Sequence, residues 1–548
     1  MRPRSGLVPT SVVAAVASLL VAATLAACSG SGSEGGTEEG GADRPNIVFI
    51  VADDMAVSDL VAMPELQRWM GEEGTAFERF YVSVSLCCPS RTTMLRGQYA
   101  HNTGVESNEG TNGGFPVVYE RDLETSTIAT WLEAEGYRTG LFGKYLNLYP
   151  NGVSPSYVPP GWGTWFSPVG TSEAGFDYLV NDDGRLVAFG DEPEDYAPAV
   201  YVDRVAALAE QAEAADEPFF AWLAVDAPHE PAAPAPQDVG AHDDEVAPRG
   251  EAFDRVDPSA PAWVRDLPPL TEAQLEEIDD RHRDRLASLR SLDRELARLA
   301  DLLDERGQLD DTYVVFTSDN GFHLGQHRLK AGKQSAYEED VRVPFLVRGP
   351  GVAQGAVSEA LVANVDVAPT FAALAGAEAP DFVDGRSLVG LWHGDAEADA
   401  GSGRTAVLLE HWPPVGQDFS EFLAQEASSS VGTPAAAAAP GSTGGSEGSS
   451  EGSNESEGGG GDGNGDAPVR REGPAPYEYV GVRTDRYTYV EYVTGEIELY
   501  DNVTDPAQIR NIAASADPAL LERLAALVDE LEGCAGESCR SAEAVEIP

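Results

Sequence analysis

Two short runs restrict most strongly what this chain can fold into. PNIVFIVADD carries Asn46 to Val51 straight into Asp53 and Asp54, and TYVVFTSDNG carries Tyr313 to Phe316 into Asp319 and Asn320. Neither run alternates polar with apolar residues, so neither fits a strand with one wet face. Unbroken apolar strands fit a parallel sheet covered on both sides. In open sheets of that kind the site lies beyond the carboxyl ends of the strands, and both acidic pairs would project there.

The segments between and after these runs extend the pattern. TSTIATWLEAEGY, 125 to 137, reads as a helix capped by Thr125 or Ser126, followed by the strand RTGLFGKY. DEPFFAWLAVDAPHEP gives another buried strand that ends at the loop carrying His229. Residues 271 to 307 place apolar residues at helical spacing with charges on the other face, and VPFLVRGPG follows the Asp319 strand. Helix and strand in alternation predict an α/β fold. Toward the C-terminus, YEYVGVRTDRYTYVEYVTGEIELYDN shows period-two alternation with turns at Thr484-Asp485 and Thr494-Gly495, an antiparallel meander. DPALLERLAALVDELEG then supplies a closing helix.

Composition sets the boundaries. From Glu426 to Pro474 the chain is almost all Ser, Gly, Ala, Glu and Pro, too poor in apolar surface to offset its ordering entropy, and reads as a disordered surface insertion. At the N-terminus Arg2 and Arg4 precede the run VVAAVASLLVAATLAA, an export signal because the run is short and ends in small residues. Leu25-Ala26-Ala27-Cys28 resembles a bacterial lipobox, which implies lipidation of Cys28, a membrane anchor and a place at the cell surface. An ordinary cleaved signal with a chance cysteine fits the same pattern. The expected layout is a signal peptide over 1–27, a linker over 28–43, a catalytic domain over 44–425, the insertion over 426–474 and a C-terminal subdomain over 475–548. The formal net charge of −56 argues against nucleic acid as a partner. It leaves an anionic substrate open, because exposed charges are screened beyond about 10 Å and the local site decides.

The chain has five cysteines. Cys534 and Cys539 in CAGESC suggest a small-loop disulfide in an exported protein. Cys87 and Cys88 are left without obvious partners, open to a strained vicinal disulfide or a buried inert pair.

Asp53, Asp54, Asp319 and Asn320 form an all-oxygen set suited to a hard cation such as calcium or magnesium. Asp and Asn at strand ends also cap the helices that follow, and the pattern alone leaves both readings open. Only Lys144, Lys330 and Lys333 among the 36 basic residues are lysines. Arginine is thus the default cation here, and a surviving lysine marks a place for a compact ammonium; Lys330 reads as a surface survivor. His229, between two prolines at a strand end, is held for proton transfer or for structure. His323 and His327 follow the Asp319 pair closely and are candidates for the same pocket.

Cys87-Cys88-Pro89-Ser90-Arg91, followed by TTMLRG, resembles the Cys-x-Pro-x-Arg signature of the type I sulfatases, whose first cysteine is oxidised to formylglycine. The Asp53-Asp54, Gly143-Lys144, Ala227-Pro228-His229 and Asp319-Asn320-Gly321 segments follow in the order that family shows, and the likeness runs from about Arg44 to Cys539 apart from the insertion. CCPSR, GKYLN, GQYAHN, CAGESCR and ELYDNVTDPAQIRNIA look most like N-acetylglucosamine-6-sulfatases and the extracellular heparan sulfate 6-O-sulfatases. The resemblance implies an alkaline-phosphatase-like, mostly parallel sheet sandwiched by helices, with a smaller C-terminal antiparallel sheet plus helix. It implies one Ca2+ held by Asp53, Asp54, Asp319, Asn320 and the modified Cys87, and maturation by a formylglycine-generating enzyme. Arg91 resembles the residue that steadies the aldehyde hydrate, Lys144 and Lys333 the sulfate-binding lysines, and His229 the histidine near the leaving oxygen. Many members carry histidine two residues after the Gly-Lys lysine; here Leu146 and Asn147 follow, and Asn147 is the substitute polar contact. The expected function is hydrolysis of sulfate monoesters of a sulfated carbohydrate, 6-O-sulfated N-acetylglucosamine in type. A phosphate or phosphonate ester hydrolase of the same superfamily and a non-catalytic binder of sulfated glycans are the alternatives.

Overall fold

Seven-residue strands form at both acidic runs: β1 (Asn46–Ala52) and, far along the chain, the strand Thr312–Ser318 pair side by side in parallel, with Ala52 opposite Ser318. They are the centre of a ten-stranded sheet in a computed structural model that describes residues 44–170, 175–394, 403–415, 478–545 and 547. The expected signal segment with Cys28, and the 426–474 insertion, lie outside the described residues.

In chain order the sheet takes β1, β2 (Thr75–Phe77), β3 (Arg138–Gly143), β4 (Thr164–Pro168), β5 (Leu179–Asp182) and β6 (Arg185–Ala188). It continues with β7 (Phe219–Ala224), β8 (Thr312–Ser318), β9 (Phe345–Arg348) and β10 (Ala356–Ser358). Across the sheet they run β10-β2-β9-β8-β1-β7-β3-β4-β5-β6, and the block β8-β1-β7-β3-β4 is wholly parallel.

Both faces of β1 are buried, as its sequence requires. Ile47, Phe49 and Val51 pack on one side against α1 (Cys87–Arg96), α2 (Ile128–Ala134) and α5 (Val367–Ala375). Val48, Ile50 and Ala52 pack on the other against α3 (Ala197–Ala215) and α4 (Glu272–Glu305). On the first face Phe49 meets Trp222 and Phe371 edge-on at 4.9 and 5.1 Å, the geometry aromatic quadrupoles favour. Thr271 opens α4 with a capping box, its hydroxyl and amide exchanging hydrogen bonds with Gln274.

Two local expectations need correction. The helix expected from Thr125 or Ser126 begins at Ile128 with Thr127 as its cap. The Arg96 guanidinium binds the Ser126 carbonyl at 2.6 Å, an acceptor that a helix capped at Thr125 or Ser126 would use, and the Leu123 carbonyl closes a separate turn on Ser126 N. The charges of α4 are also not confined to its outer face, since Arg285 lies buried in phase with Leu289, Leu292 and Leu296.

The meander appears as β12 (Tyr479–Thr484), β13 (Tyr487–Tyr492) and β14 (Ile497–Asp501), with α6 (Pro518–Glu532) packed on it. A fourth strand, β11 (Ala406–His411), pairs antiparallel with β12, so this small sheet reaches back across the boundary expected at residue 425. The C-terminal tail is joined to the larger body by buried charge: Arg404 lies between Asp366 and Glu543, with Arg386 donating to Glu543 at 2.6 Å.

Candidate active site

Strand register brings the scattered motifs to one level. Val51 stands opposite Ala224, Ala52 opposite Ser318, and Gly143 also opposite Ala224, so four neighbouring strands end together. The next residues are Asp53 and Asp54 after β1, Asp319 and Asn320 after β8, Lys144 after β3 and the His229 loop after β7. Gly143 has φ of 109°, and a Cβ there would stand 1.8 Å from the Ala224 carbonyl oxygen. Only glycine lets β3 close on β7 at that point, and the Lys144 amide then donates to the same oxygen at 3.0 Å.

Cys87 is the first residue of α1, where Pro89 is tolerated in the first turn because its missing N–H has no partner in any helix. Cys87 and Arg91, four residues apart, share a helix face directed at the carboxylates. The Cys87 thiol is 3.5 Å from Asp53 Oδ1 and accepts from Lys333 Nζ at 2.7 Å. Cys88 turns the other way, into the core beside Tyr145 and Leu146, where burial pushes its thiol up to about 12. The doublet is thus two single cysteines in different surroundings, both free thiols. Cys534 and Cys539 form the expected disulfide.

Around Cys87 the charges alternate. Lys144 Nζ lies 2.5 Å from Asp53 Oδ2, and Lys333 Nζ contacts Asp54 Oδ1. Arg91 donates through Nε to Asp319 Oδ2 at 2.7 Å and through Nη1 to the Lys144 carbonyl at 2.8 Å. Burial pushes the Asp53 carboxyl up, but Lys144, His229, Arg91 and Lys333 outweigh it and hold Asp53 well below the usual carboxylate range. Asp54 is held low against its burial chiefly by Lys333. Asp319 goes the other way, raised by burial and by the neighbouring Asp53 charge. Burial raises the Cys87 thiol despite the two lysines, so it stays protonated and is a poor nucleophile as cysteine.

His229 Nδ1 lies 2.9 Å from the Glu230 carbonyl. A carbonyl can only accept, so Nδ1 carries the hydrogen, and Nε2 faces the site 3.8 Å from Asp54 Oδ2.

The donor set fits a hard cation. Asp53, Asp54, Asp319 and Asn320 offer buried side-chain oxygens, and Asn320 Oδ1 has no hydrogen-bond partner among the described residues while its Nδ2 is committed to Asp54 and Gly321. An oxygen-bearing group at position 87 would complete that set more suitably than sulfur. Asn147 Oδ1 is likewise buried without a hydrogen-bond partner among the described residues. His323 instead serves the Lys333 loop, its Nδ1 2.9 Å from Asp340 Oδ1, and His327 stacks on Tyr337 with ring centroids 3.8 Å apart. Sequence reasoning missed Arg285 and Asp59, which brace this site from behind. The available signal was an arginine in phase with the leucines of α4.

The sequence model of the family described as Sulfatase matches residues 45–377. The chain is 36% identical over 352 residues to the putative extracellular sulfatase Sulf-1 homolog of Caenorhabditis elegans, covering 63% of this chain and only 49% of that relative. It is 30% identical over 532 residues to the N-acetylglucosamine-6-sulfatase of Homo sapiens, covering 91% of this chain and 87% of that one. A solved structure of a protein in complex with its substrate D-glucosamine-2-N,6-O-disulfate shares the fold, with a TM-score of 0.65 at 22% identity over 92% of this chain and 100% of the other.

Proposed function

The chain belongs to the sulfatase family, and from that premise we propose that it hydrolyses sulfate monoesters of a sulfated carbohydrate, 6-O-sulfated N-acetylglucosamine in type. The observation that carries the reading is the convergence of Lys144, Lys333, Arg91 and His229 with four oxygen ligands around Cys87. A sulfate ester needs its non-bridging oxygens stabilised and its leaving oxygen protonated, and this set supplies both.

Asp53, Asp54, Asp319, Asn320 and residue 87 would hold calcium, which supplies Lewis-acid polarisation of the ester. Formylglycine at position 87 would supply the oxygen nucleophile that the protonated thiol cannot. The remaining work falls to the chain's own residues. Lys144 and Lys333 bind the sulfate oxygens as compact ammonium groups. Arg91 keeps Asp319 and the Lys144 carbonyl in place and steadies residue 87. His229 holds its hydrogen on Nδ1 through Glu230, which leaves Nε2 as the atom that carries a proton to the departing sugar oxygen. Asn147 offers a buried amide oxygen to the substrate.

We further propose export, lipidation at Cys28 with attachment to the membrane, and maturation by a formylglycine-generating enzyme. A catalytic domain and a C-terminal subdomain on either side of the insertion belong to the same reading, with β11 from the N-terminal side completing the C-terminal sheet. Mass spectrometry of FYVSVSLCCPSR from the native host, together with sulfate release from N-acetylglucosamine 6-sulfate, tests the core of it. Expected are sulfur and two hydrogens replaced by oxygen at Cys87 alone, and turnover that chelation of calcium abolishes. Intact thiols with binding but no turnover would make the protein a glycan binder, and faster turnover of a phosphonate monoester would move it to that class.

A further inference from the structure

We propose that Arg285 is a positioning residue that locks the Asp54 turn to the His229 loop. It comes from α4, which carries none of the residues assigned above, and its side chain is 1% exposed. Its Nη2 donates to the Asp54 carbonyl at 2.7 Å and contacts Asp59 Oδ2, while Nη1 donates to the Pro228 carbonyl at 3.4 Å. Phe322, two residues beyond Asn320, lies under the guanidinium with its centroid 4.4 Å away. One planar group therefore touches the segments that follow β1, β7 and β8.

The backbone gives this grip its purpose. Asp54 sits at φ of 66°, a region L-residues with a Cβ seldom occupy. Its amide is fixed by Asp319 Oδ1 at 3.1 Å and its carbonyl by Arg285, so the unusual conformation is held from both ends. The same carboxylate that pairs with Arg285 also accepts from Ala56 N at 3.1 Å, closing the turn. On the other side Arg281, one helical turn earlier, meets Glu230 Oε1 at 2.5 Å, so α4 holds the His229 loop at two points. The separation of Asp54 from His229 Nε2 is thus set by a helix neither belongs to. A lysine cannot replace the fork, because an ammonium at the end of a flexible stem lacks the fixed divergent donors.

What the two positioned groups do rests on the proposed function; that they are positioned does not. The test compares the full chain with Arg285→Lys and Arg285→Met after equal formylglycine conversion has been verified by mass spectrometry. It reads kcat and KM on a sulfate ester, melting temperature, and hydrogen exchange of peptides spanning 52–59 and 226–232. Expected for Arg285→Met are a kcat at least thirtyfold lower with KM within threefold, and exchange at least tenfold faster in those two segments but not across the sheet. Arg285→Lys should recover melting temperature without recovering kcat, and it carries the test alone if Arg285→Met does not fold. A folded variant with kcat within threefold of the parent, or exchange that rises uniformly, would overturn the proposal. If the parent chain releases no sulfate, the proposed function fails instead, and the selectivity of the exchange still decides the role of Arg285.

Discussion

Lys144 and Asp53 face each other at 2.5 Å in a site where burial alone would favour a neutral carboxyl, and Lys144 leads His229, Arg91 and Lys333 in keeping Asp53 ionised. Lys144→Arg keeps the charge but brings a larger planar group. The expected result is a fall in kcat/KM for a sulfate ester of at least about a hundredfold, roughly 2.7 kcal/mol of transition-state stabilisation. Circular dichroism should be unchanged. Activity within tenfold of the parent would mean that any positive charge suffices there. A second residue reports on acid stability. Burial lowers His327 from its ordinary value of 6.5 to about 3, and its Nε2 has no hydrogen-bond partner among the described residues. Between those values the unfolded chain binds a proton the native one does not, so stability is full above pH 6.5 and falls as pH drops toward 3. The loss reaches a few kcal/mol, on the order of 1.4 kcal/mol per pH unit. Urea midpoints measured from pH 4 to 8 should show this slope, and His327→Phe, which keeps the stacking on Tyr337, should flatten it.

At the scale of elements the sheet edge depends on the approach of β3 to β7. Gly143→Ala would drive a Cβ into the Ala224 carbonyl, whereas the same change at Gly71 meets nothing within 4 Å. Urea denaturation should show a loss of about 3 kcal/mol or more for Gly143→Ala, or no soluble protein, and a near-neutral effect for Gly71→Ala. Equal effects at both sites would remove the steric account of the Gly-Lys pair. The central strands were legible because unbroken apolar runs have one comfortable place, between two layers of helix, and the acidic residues at their ends then had to fall on one edge. Asp53, Asp54, Asp319, Asn320, Lys144 and His229 could be placed that way from strand ends alone. Cys87, Arg91 and Lys333 lie on a helix and a loop, and no periodicity aims those; the scarcity of lysine marked Lys333, and the resemblance gave Cys87 and Arg91 their roles. Arg285 was hidden because a pattern of leucines and charges does not say which charge faces inward. The start of α2 was misread because Arg96, thirty residues earlier, competes for the Ser126 carbonyl that the expected helix would use.

The molecule as a whole is closed by contacts distant in sequence. Tyr99, three residues past the end of α1, meets Glu543, which also pairs with Arg404 and Arg386, so the tail is fixed to the body that carries the site. The small sheet makes a second such closure. His411 stands opposite Tyr479 at the open end of the β11–β12 ladder, so the ends of the connection that contains residues 426–474 are held side by side by paired strands. Those strands are anchored in turn: Glu410 N donates to the Ser83 carbonyl at 2.8 Å, and Tyr479, Val482 and Tyr489 lie in the core with α6. On the sequence expectation of a disordered insertion, a connection between two strands already paired contributes chiefly its closure entropy. Deleting residues 426–474 cuts it to roughly a quarter of its length, and each halving is worth about 0.6 kcal/mol, so the shortened chain should be more stable by about 1 kcal/mol. Turnover of a sulfate ester should stay within twofold, because the site's carboxylates, lysines and His229 are held by the parallel sheet and the helices beside it. Chemical denaturation and kcat/KM of the deletion variant measure both. A gain in stability with a loss of turnover would give the segment a part in handling the substrate, and a loss of stability would mean that it packs against the body as more than a connection.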